Sequence, residues 1–275
     1  MQQICQHVEV FYTQGKDDAK NRAAKLKEGE YDFVVAVGGD GTLNEVAAGL
    51  YLSQSHIPLA VISAGTVNDY ANFLKLPQAA DPFVDMIDRF YYCPTDLGKL
   101  NDEYFINVVA GGMLTDVAYK VPKDKKAAMG KMAYYLEFIA EFPKQLLESG
   151  IKLHVESEEY SGDTDAIVFI ITNTTSVGGV TNALPLASVS DGLLDVMILT
   201  RVNPLTTPDA ILKFLASEHY KAEDIIYFQT KKVRIEQLAG EPIVLDFDGE
   251  VLPNNMPVEI SVLENAINII TPEPK

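Results

Sequence analysis

A glycine-rich turn near the start of the chain has residue types suited to binding phosphate. The apolar run Val34–Val37 predicts a strand that stops at Gly38–Gly41, and a helix follows in which Thr42 and Glu45 have capping-box spacing. Backbone N–H groups at such a turn lie beside the positive end of a helix dipole, and glycines let a phosphate approach them. Asp40 would repel a phosphate, so we expect it to face a metal or a hydroxyl that must lose a proton. These residues therefore indicate phosphate chemistry.

A second turn of the same kind follows the next predicted strand. The strand Ile57–Ile62 leads into Gly65–Asp69, where Thr66 or Asn68 could cap a short helix and Asp69 lies in its first turn. Strands that alternate with helices pair in parallel, so both turns fall at the same edge of one sheet. Ligands bind at that edge in open α/β sheets, and the sequence therefore predicts a cleft between the two turns.

Each of these patterns also has a purely structural explanation. Glycines and caps are common at ordinary strand-to-helix connections, and Asp69 could serve only the helix dipole. Asp191-Gly192, and Asp248-Gly249 ahead of Glu250, also have the composition of tight turns. A proton acceptor for a hydroxyl must be an acid or a histidine within hydrogen-bond reach. None of the four histidines lies in these patterns, so carboxylates are the better candidates.

Composition excludes several classes of protein. The chain has 275 residues, of which 47% are hydrophobic and 22% charged, which is typical of a globular protein long enough for two domains. Its net charge of −17 argues against nucleic-acid binding. Two cysteines, Cys5 and Cys93, form no disulfide framework and fit a reducing compartment. The first residues lack a signal-peptide pattern and no apolar run could span a membrane, so we expect a cytoplasmic protein without a transmembrane segment.

The order of predicted elements indicates two domains. Residues 1–94 read as alternating strands and helices, beginning with a strand at His7–Tyr12, and predict an α/β domain. Residues 95–275 read mainly as short strands with polar turns and predict an antiparallel β-sandwich, with helices at 129–147 and 208–217. The final strand is a candidate for returning to the first domain.

Five sequence motifs together resemble the diacylglycerol-kinase-like lipid kinases, and in particular the soluble bacterial diacylglycerol kinases. They are GGDGTLNE at Gly38–Glu45, GTVND at Gly65–Asp69, TDLGK at Thr95–Lys99, SDG at Ser190–Gly192 and DGE at Asp248–Glu250. The resemblance implies a phosphofructokinase-like, NAD-kinase-like α/β domain that binds ATP, followed by a β-sandwich that carries the lipid pocket. It implies transfer of the γ-phosphate of ATP to a lipid hydroxyl, most simply that of diacylglycerol, at the inner face of the membrane.

The resemblance also implies roles for individual residues. The nucleotide contacts carried over are Thr13, Gly39, Asp40, Gly41, Thr42, Leu43, Asn44, Glu45 and Thr66. Glu250 would take the proton from the lipid hydroxyl. Asp40, Asp69 and Asp96 would act at the reacting centre, the latter two through a network of magnesium and water. A structural Mg²⁺ would be bound by the side chain of Asp191 and the backbone carbonyls of Ser188 and Leu193.

The chain departs from the family pattern at its start. The family begins with a strand and an Asn-Pro-x-Ser/Ala-Gly turn, and nothing of that kind is present. We therefore expect an exposed sheet edge, which either marks a fragment or is covered by a second copy of the chain in a homodimer. Five lysines within 120–131 are expected either to touch anionic lipid or to form a solvated loop.

The sequence is compatible with two alternative functions. One is an NAD-kinase-like kinase of a soluble cofactor, which shares the shorter motif GGDGT but not GTVND. The other is a non-catalytic protein that binds nucleotide or lipid without turnover.

Overall fold

The computed structural model describes residues 5, 7–65, 67–112, 150–178, 182–200, 224–240, 242–253 and 256–274. Its first part alternates helices and strands, as predicted. The elements are α1 (Asp18–Ala23), β1 (Val34–Gly38), α2 (Asp40–Ser53), β2 (Leu59–Ser63), α3 (Asp69–Phe73) and α4 (Ala80–Arg89). Strands β1 and β2 pair in parallel, with Val34 opposite Leu59 and Gly38 opposite Ser63. Both predicted turns therefore leave the sheet at the same edge.

The second part consists of strands. They are β3 (Tyr91–Leu100), β4 (Glu103–Phe105), β5 (Val108–Gly112), β6 (Ile151–Ser157), β7 (Ser161–Thr172), β8 (Leu194–Thr200), β9 (Ile225–Thr230), β10 (Lys232–Ala239), β11 (Val244–Phe247), β12 (Glu250–Pro253) and β13 (Val258–Thr271). Their mutual pairings are antiparallel, as the predicted sandwich requires. β9 was not predicted, because residues 225–228 are all large and apolar and therefore show no alternation of apolar and polar residues.

Strand β13 joins the two parts. It pairs antiparallel with β3 from Leu100 to Tyr91, and with β10 near its own start. Near its end it also pairs in parallel with β2, where Ile269 lies opposite Leu59. Ile269 and Ile270 are buried in the same apolar cluster as the α/β elements, whereas Val258 and Ile260 belong to the cluster of the β-rich part. One strand thus contributes to both cores.

The predicted strand at His7–Tyr12 is wrong. Residues 7–14 have no regular secondary structure, and the side chains of Val10, Phe11 and Tyr12 are exposed. The segment is held by side chains, because the Glu9 carboxylate accepts a hydrogen bond from Arg22, at 2.9 Å, and one from the Tyr31 hydroxyl. Alternating apolar residues are insufficient for a strand when no neighbouring strand is paired with them.

Several predictions fall outside the described residues. These are the nucleotide contact at Thr66, the lysine patch within 120–131 and the helices at 129–147 and 208–217. Within the part of the chain that the structure describes, no helix is long and apolar enough to cross a membrane.

Close packing of α1 on α2 makes Gly49→Ala a destabilising substitution. An added Cβ would lie 2.5 Å from the Lys20 carbonyl oxygen and 2.6 Å from the Ala23 Cβ, and neither atom can swing away. Such overpacking costs about 1–3 kcal/mol, whereas alanine gains only about 1 kcal/mol over glycine in a helix. We expect a net loss of up to about 2 kcal/mol in the free energy of unfolding, measured with urea. Gly41→Ala in the same helix is the control, because no atom lies within 4 Å of its added Cβ.

Candidate active site

The two glycine-rich turns meet backbone to backbone. The N–H of Ala64 donates to the carbonyl of Gly38 at 2.8 Å, and a Cβ added to Gly65 would lie 2.5 Å from the Gly39 Cα. Glycine is therefore required at this contact. Helix α2 begins at Asp40 with Gly39 as its N-cap, and no side chain accepts a hydrogen bond from this end within the described residues. The geometry leaves N–H groups of the first turn available to an anion.

The predicted capping box at Thr42 and Glu45 is wrong. The helix already begins at Asp40, and the Glu45 carboxylate accepts hydrogen bonds from the N–H groups of Asp17, at 3.0 Å, and Ala19, at 3.1 Å. Glu45 therefore caps α1, because those N–H groups have no partner within their own short helix. This contact fixes the loop before α1 against α2.

The other side chains at the end of this motif are also engaged within the protein. Leu43 is buried in the core of the α/β part, and Asn44 donates from Nδ2 to the Tyr104 carbonyl at 2.9 Å. Thr42 lies against the Cα of Gly38, since a Cβ added there would meet its side chain at 2.6 Å. Thr13 lies in the exposed segment before α1. The nucleotide contacts of Thr13 and of Gly39–Glu45 stay predictions, and for the buried members only backbone contact is available.

Asp40 connects the first turn to the second. Its carboxylate accepts hydrogen bonds from the N–H groups of Asp69, at 3.3 Å, and Tyr70, at 3.4 Å, which begin α3. The expected cap from Asn68 is wrong: Asn68 adopts a left-handed conformation and its side chain bonds both the N–H and the carbonyl of Gly65. The acid of the glycine motif thus supplies the cap that the second turn lacks.

Two further predicted acids are buried beside this turn. The Asp69 Oδ1 accepts a hydrogen bond from the Ser176 hydroxyl at 2.9 Å. The Asp96 carboxylate accepts from the N–H groups of Gly192, at 2.8 Å, and Asn265, at 2.7 Å. Burial raises the pKa of Asp96, and the two N–H donors oppose that rise. Asp96 therefore links β3 to the SDG turn and to β13.

A mostly buried polar segment that was not predicted from the sequence lies between these acids. It runs from Thr172 to Ser176, immediately after the apolar part of β7. Asn173 donates from Nδ2 to the Asp96 carbonyl at 2.8 Å, and the Thr174 hydroxyl donates to the Asn107 side chain. The only signal in the sequence was a run of five polar residues directly after an apolar strand, and surface loops have the same composition.

The DGE motif forms a tight hairpin between β11 and β12. Phe247 pairs with Glu250, and the two turn residues have positive φ, 50° at Asp248 and 86° at Gly249, as a type I′ turn requires. The Asp248 carboxylate is buried and accepts the N–H groups of Ile106–Val108 at 2.7 to 3.1 Å. Burial raises the pKa of Asp248 to about 7 against the effect of these donors, and Asp40 adds to the rise.

Glu250 itself begins β12 and is partly exposed, with 27% of its side chain accessible. Its Oε2 forms an ion pair with the ammonium group of Lys16, which lies in the loop before α1. The hairpin therefore brings a carboxylate of the β-rich part against the α/β part.

The three residues expected to bind Mg²⁺ lie close together in the chain, and their role as ligands stays a prediction. Asp191, Ser188 and Leu193 lie in one turn, where the Asp191 Oδ1 accepts the Leu193 N–H at 3.1 Å. No group of three His, Cys, Asp or Glu side chains that could hold a metal occurs among the described residues, but the expected set has only one carboxylate.

The buried Asn173 Oδ1 has no hydrogen-bond partner among the described residues and lies in the amide that contacts Asp96. An oxygen of this kind fits a hydrated magnesium ion.

Comparisons with known proteins support the family resemblance in both parts of the chain. Residues 1–100 match the diacylglycerol kinase catalytic domain, and residues 107–271 match the YegS C-terminal NAD kinase beta sandwich-like domain. Diacylglycerol kinase from Bacillus subtilis is 34% identical, over 94% of this chain and 84% of that protein. Its counterpart from Staphylococcus epidermidis is 32% identical, over 96% and 82%.

A crystal structure of a diacylglycerol kinase from Bacillus anthracis str. Sterne has the same fold. Its TM-score is 0.76 at 24% identity, over 95% of this chain and 84% of that one. The predicted fold class, an α/β domain followed by a β-sandwich domain, is confirmed. The chain belongs to the diacylglycerol kinase family.

Proposed function

We propose that this protein transfers the γ-phosphate of ATP to the hydroxyl of a lipid, and that diacylglycerol is converted to phosphatidic acid. The observation that carries the proposal is the contact between Lys16 and Glu250, because it brings the hairpin carboxylate to the part of the protein that holds the glycine-rich turns. A base and a phosphate site must lie together for this reaction. The diacylglycerol kinases among its relatives support the choice of substrate.

Each group has a defined task in this proposal. The N–H groups at the start of α2 bind the phosphates of the nucleotide, and Asp40 holds the second turn against the first. Glu250 accepts the proton of the lipid hydroxyl as its oxygen attacks the γ-phosphorus. Asp69 and Asp96 help to position the reacting groups. Asp69 is held by its hydrogen bond with Ser176, and Asp96 by its hydrogen bond with the SDG turn. Bound near these acids, Mg²⁺ would neutralise charge that develops on the phosphoryl oxygens.

The protein would act at the cytoplasmic face of the membrane, where a lipid hydroxyl is accessible to an enzyme that uses ATP. Its acidic net charge means that attraction to an anionic surface would have to come from a local cluster of basic residues. The homodimer expected from the open sheet edge stays a prediction.

The direct test is transfer of labelled phosphate from ATP to lipids in mixed micelles, with and without Mg²⁺. The panel contains diacylglycerol, a sphingoid base, phosphatidylglycerol and a polyprenol, and NAD is assayed without detergent. Labelled phosphatidic acid that requires Mg²⁺ would support the proposal. Phosphorylation of NAD alone would identify a cofactor kinase, and nucleotide binding without any product would identify a non-catalytic binder.

A further inference from the structure

The candidate site contains many more acids than bases. Five carboxylates belong to it: Asp40, Asp69, Asp96, Asp248 and Glu250. Such a site repels a nucleoside triphosphate unless cations face the phosphates. Among the ion pairs between described residues, the pair of Lys16 with Glu250 is the one that includes an acid of this site. Lys16 is therefore the first residue to consider as a phosphate ligand.

The backbone that carries Lys16 is firmly held. The N–H groups of Gln14 and Gly15 donate to the Asp18 carboxylate at 2.7 and 3.1 Å. On the other side of Lys16, the N–H of Asp17 donates to Glu45, which belongs to the helix that starts at the phosphate-binding turn. Lys16 is thus tied to the phosphate-binding helix through its backbone, and to the hairpin through its side chain.

The side chain itself remains free to change partner. Two-thirds of it is exposed, 67%, and it reaches Glu250 from the protein surface. The hydrogen bond to Glu250 raises the pKa of Lys16, and Asp17 and Glu103 add to the rise, so the ammonium group stays charged at neutral pH. Exposed ion pairs contribute little to stability, so exchanging one anionic partner for another costs little.

We propose that Lys16 binds the transferred phosphoryl group, and that it exchanges Glu250 for this group when ATP binds. The exchange deepens the proposed function, on which it rests. In the reaction the lipid oxygen forms a bond to the γ-phosphorus. The bond between that phosphorus and the bridging oxygen breaks, and its electron pair leaves with ADP. Glu250 receives the hydroxyl proton, while Lys16 neutralises charge on the phosphoryl oxygens. Lys16 thus remains paired with Glu250 until ATP binds, because transfer of its γ-phosphate requires both residues.

Nucleotide binding tests the exchange without any turnover. Calorimetry would measure the affinities for ADP and for a non-hydrolysable ATP analogue in the full chain. Lys16→Met should weaken binding of the analogue about 10-fold or more while changing ADP binding by less than 3-fold, because only the analogue carries the terminal phosphate. Lys16→Arg should largely restore the preference. Lys25→Met, an exposed lysine just after α1, should leave both affinities unchanged.

A double-mutant cycle separates exchange from simple repulsion by Glu250. Glu250→Gln should strengthen analogue binding by up to about 5-fold in the wild-type background, since Lys16 no longer has to leave an exposed partner whose pairing contributes little. The same substitution should have a smaller effect when Lys16 is methionine. Equal effects in both backgrounds, or a Lys16→Met variant that loses ADP and analogue affinity equally, would overturn the proposal.

Measurements of turnover separate the proposed role of Lys16 from the proposed lipid kinase activity. If the wild-type protein phosphorylates diacylglycerol, Lys16→Met should lower kcat roughly 100-fold, as loss of one donor at a developing charge does elsewhere. The KM for the lipid should stay within 3-fold of wild type. Unchanged kcat would overturn the role of Lys16 alone. A wild-type protein without any lipid product would overturn the proposed function, while the binding experiments would still decide the exchange.

Discussion

Replacing Glu250 with glutamine should reduce lipid phosphorylation by roughly 100- to 10,000-fold, the range typical of a lost general base. Glutamine matches glutamate in size, and its backbone can still pair with Phe247 at the start of β12. The amide cannot accept the proton of the attacking hydroxyl, so the loss should fall on kcat. We would measure initial rates with diacylglycerol in mixed micelles, together with the melting temperature of each variant.

Glu259→Gln provides the matched control for this experiment. Glu259 also lies on a strand of the β-rich part and also forms an ion pair with a lysine, Lys232, but both side chains are largely exposed. It should retain activity within 2-fold. If Glu250→Gln kept more than a tenth of the wild-type rate, the proton acceptor would have to be another group, and the neighbouring buried acids would be examined next.

Replacing Asp248 with alanine should lower the free energy of unfolding by about 3–5 kcal/mol. The substitution leaves the buried N–H groups of Ile106–Val108 without their acceptor, and each unpaired buried donor costs about 1–3 kcal/mol. The substitution would also strain the turn, because residue 248 has a positive φ that aspartate tolerates better than alanine. Urea denaturation measures the loss. Asp163→Ala, which removes an exposed partner of His154, should cost less than about 1 kcal/mol.

The same carboxyl group should make stability depend on pH. Its pKa is about 7 in the folded protein, above the value of about 3.9 in an unfolded chain. Between these values the folded state binds more protons, so this contribution is complete below about pH 4 and is lost as the pH rises to about 7. From pH 5.5 to 7.5, wild-type stability should fall by about 2 kcal/mol more than that of Asp248→Asn, which cannot titrate. Parallel pH profiles for the two proteins would contradict this expectation.

The sequence was sufficient to predict features that depend on neighbouring residues. The strand-to-helix turns at Gly39 and Gly65, and the tight turn at Asp248-Gly249, all form where the local pattern indicates them. Their glycines and turn residues restrict the backbone within a few positions, whatever the rest of the fold does. The fold class followed from the order of these local elements.

Side-chain partners could not be predicted in the same way. Glu45 has the spacing of a capping box, yet its carboxylate binds α1, which the chain reaches 28 residues earlier. Asp40 caps α3, 29 residues later. A local spacing rule considers only nearby N–H groups, whereas in the folded protein a distant helix end with unpaired donors competes for the same acid. The contacts of Ser176 with Asp69, and of Lys16 with Glu250, involve still larger separations and become visible only in the folded structure.

The position of β13 bears on how the protein is synthesised. β1 and β2 leave the ribosome early, but Ile269, which pairs with Leu59, is translated only after all the other strands described here. Until then β2 presents an unpaired edge, and the apolar cluster around it lacks Ile269 and Ile270. A nascent chain in this state exposes a strand template to other polypeptides, so we expect it to depend on chaperones during translation. The order of synthesis thus delays completion of the α/β part until the β-rich part has also been made.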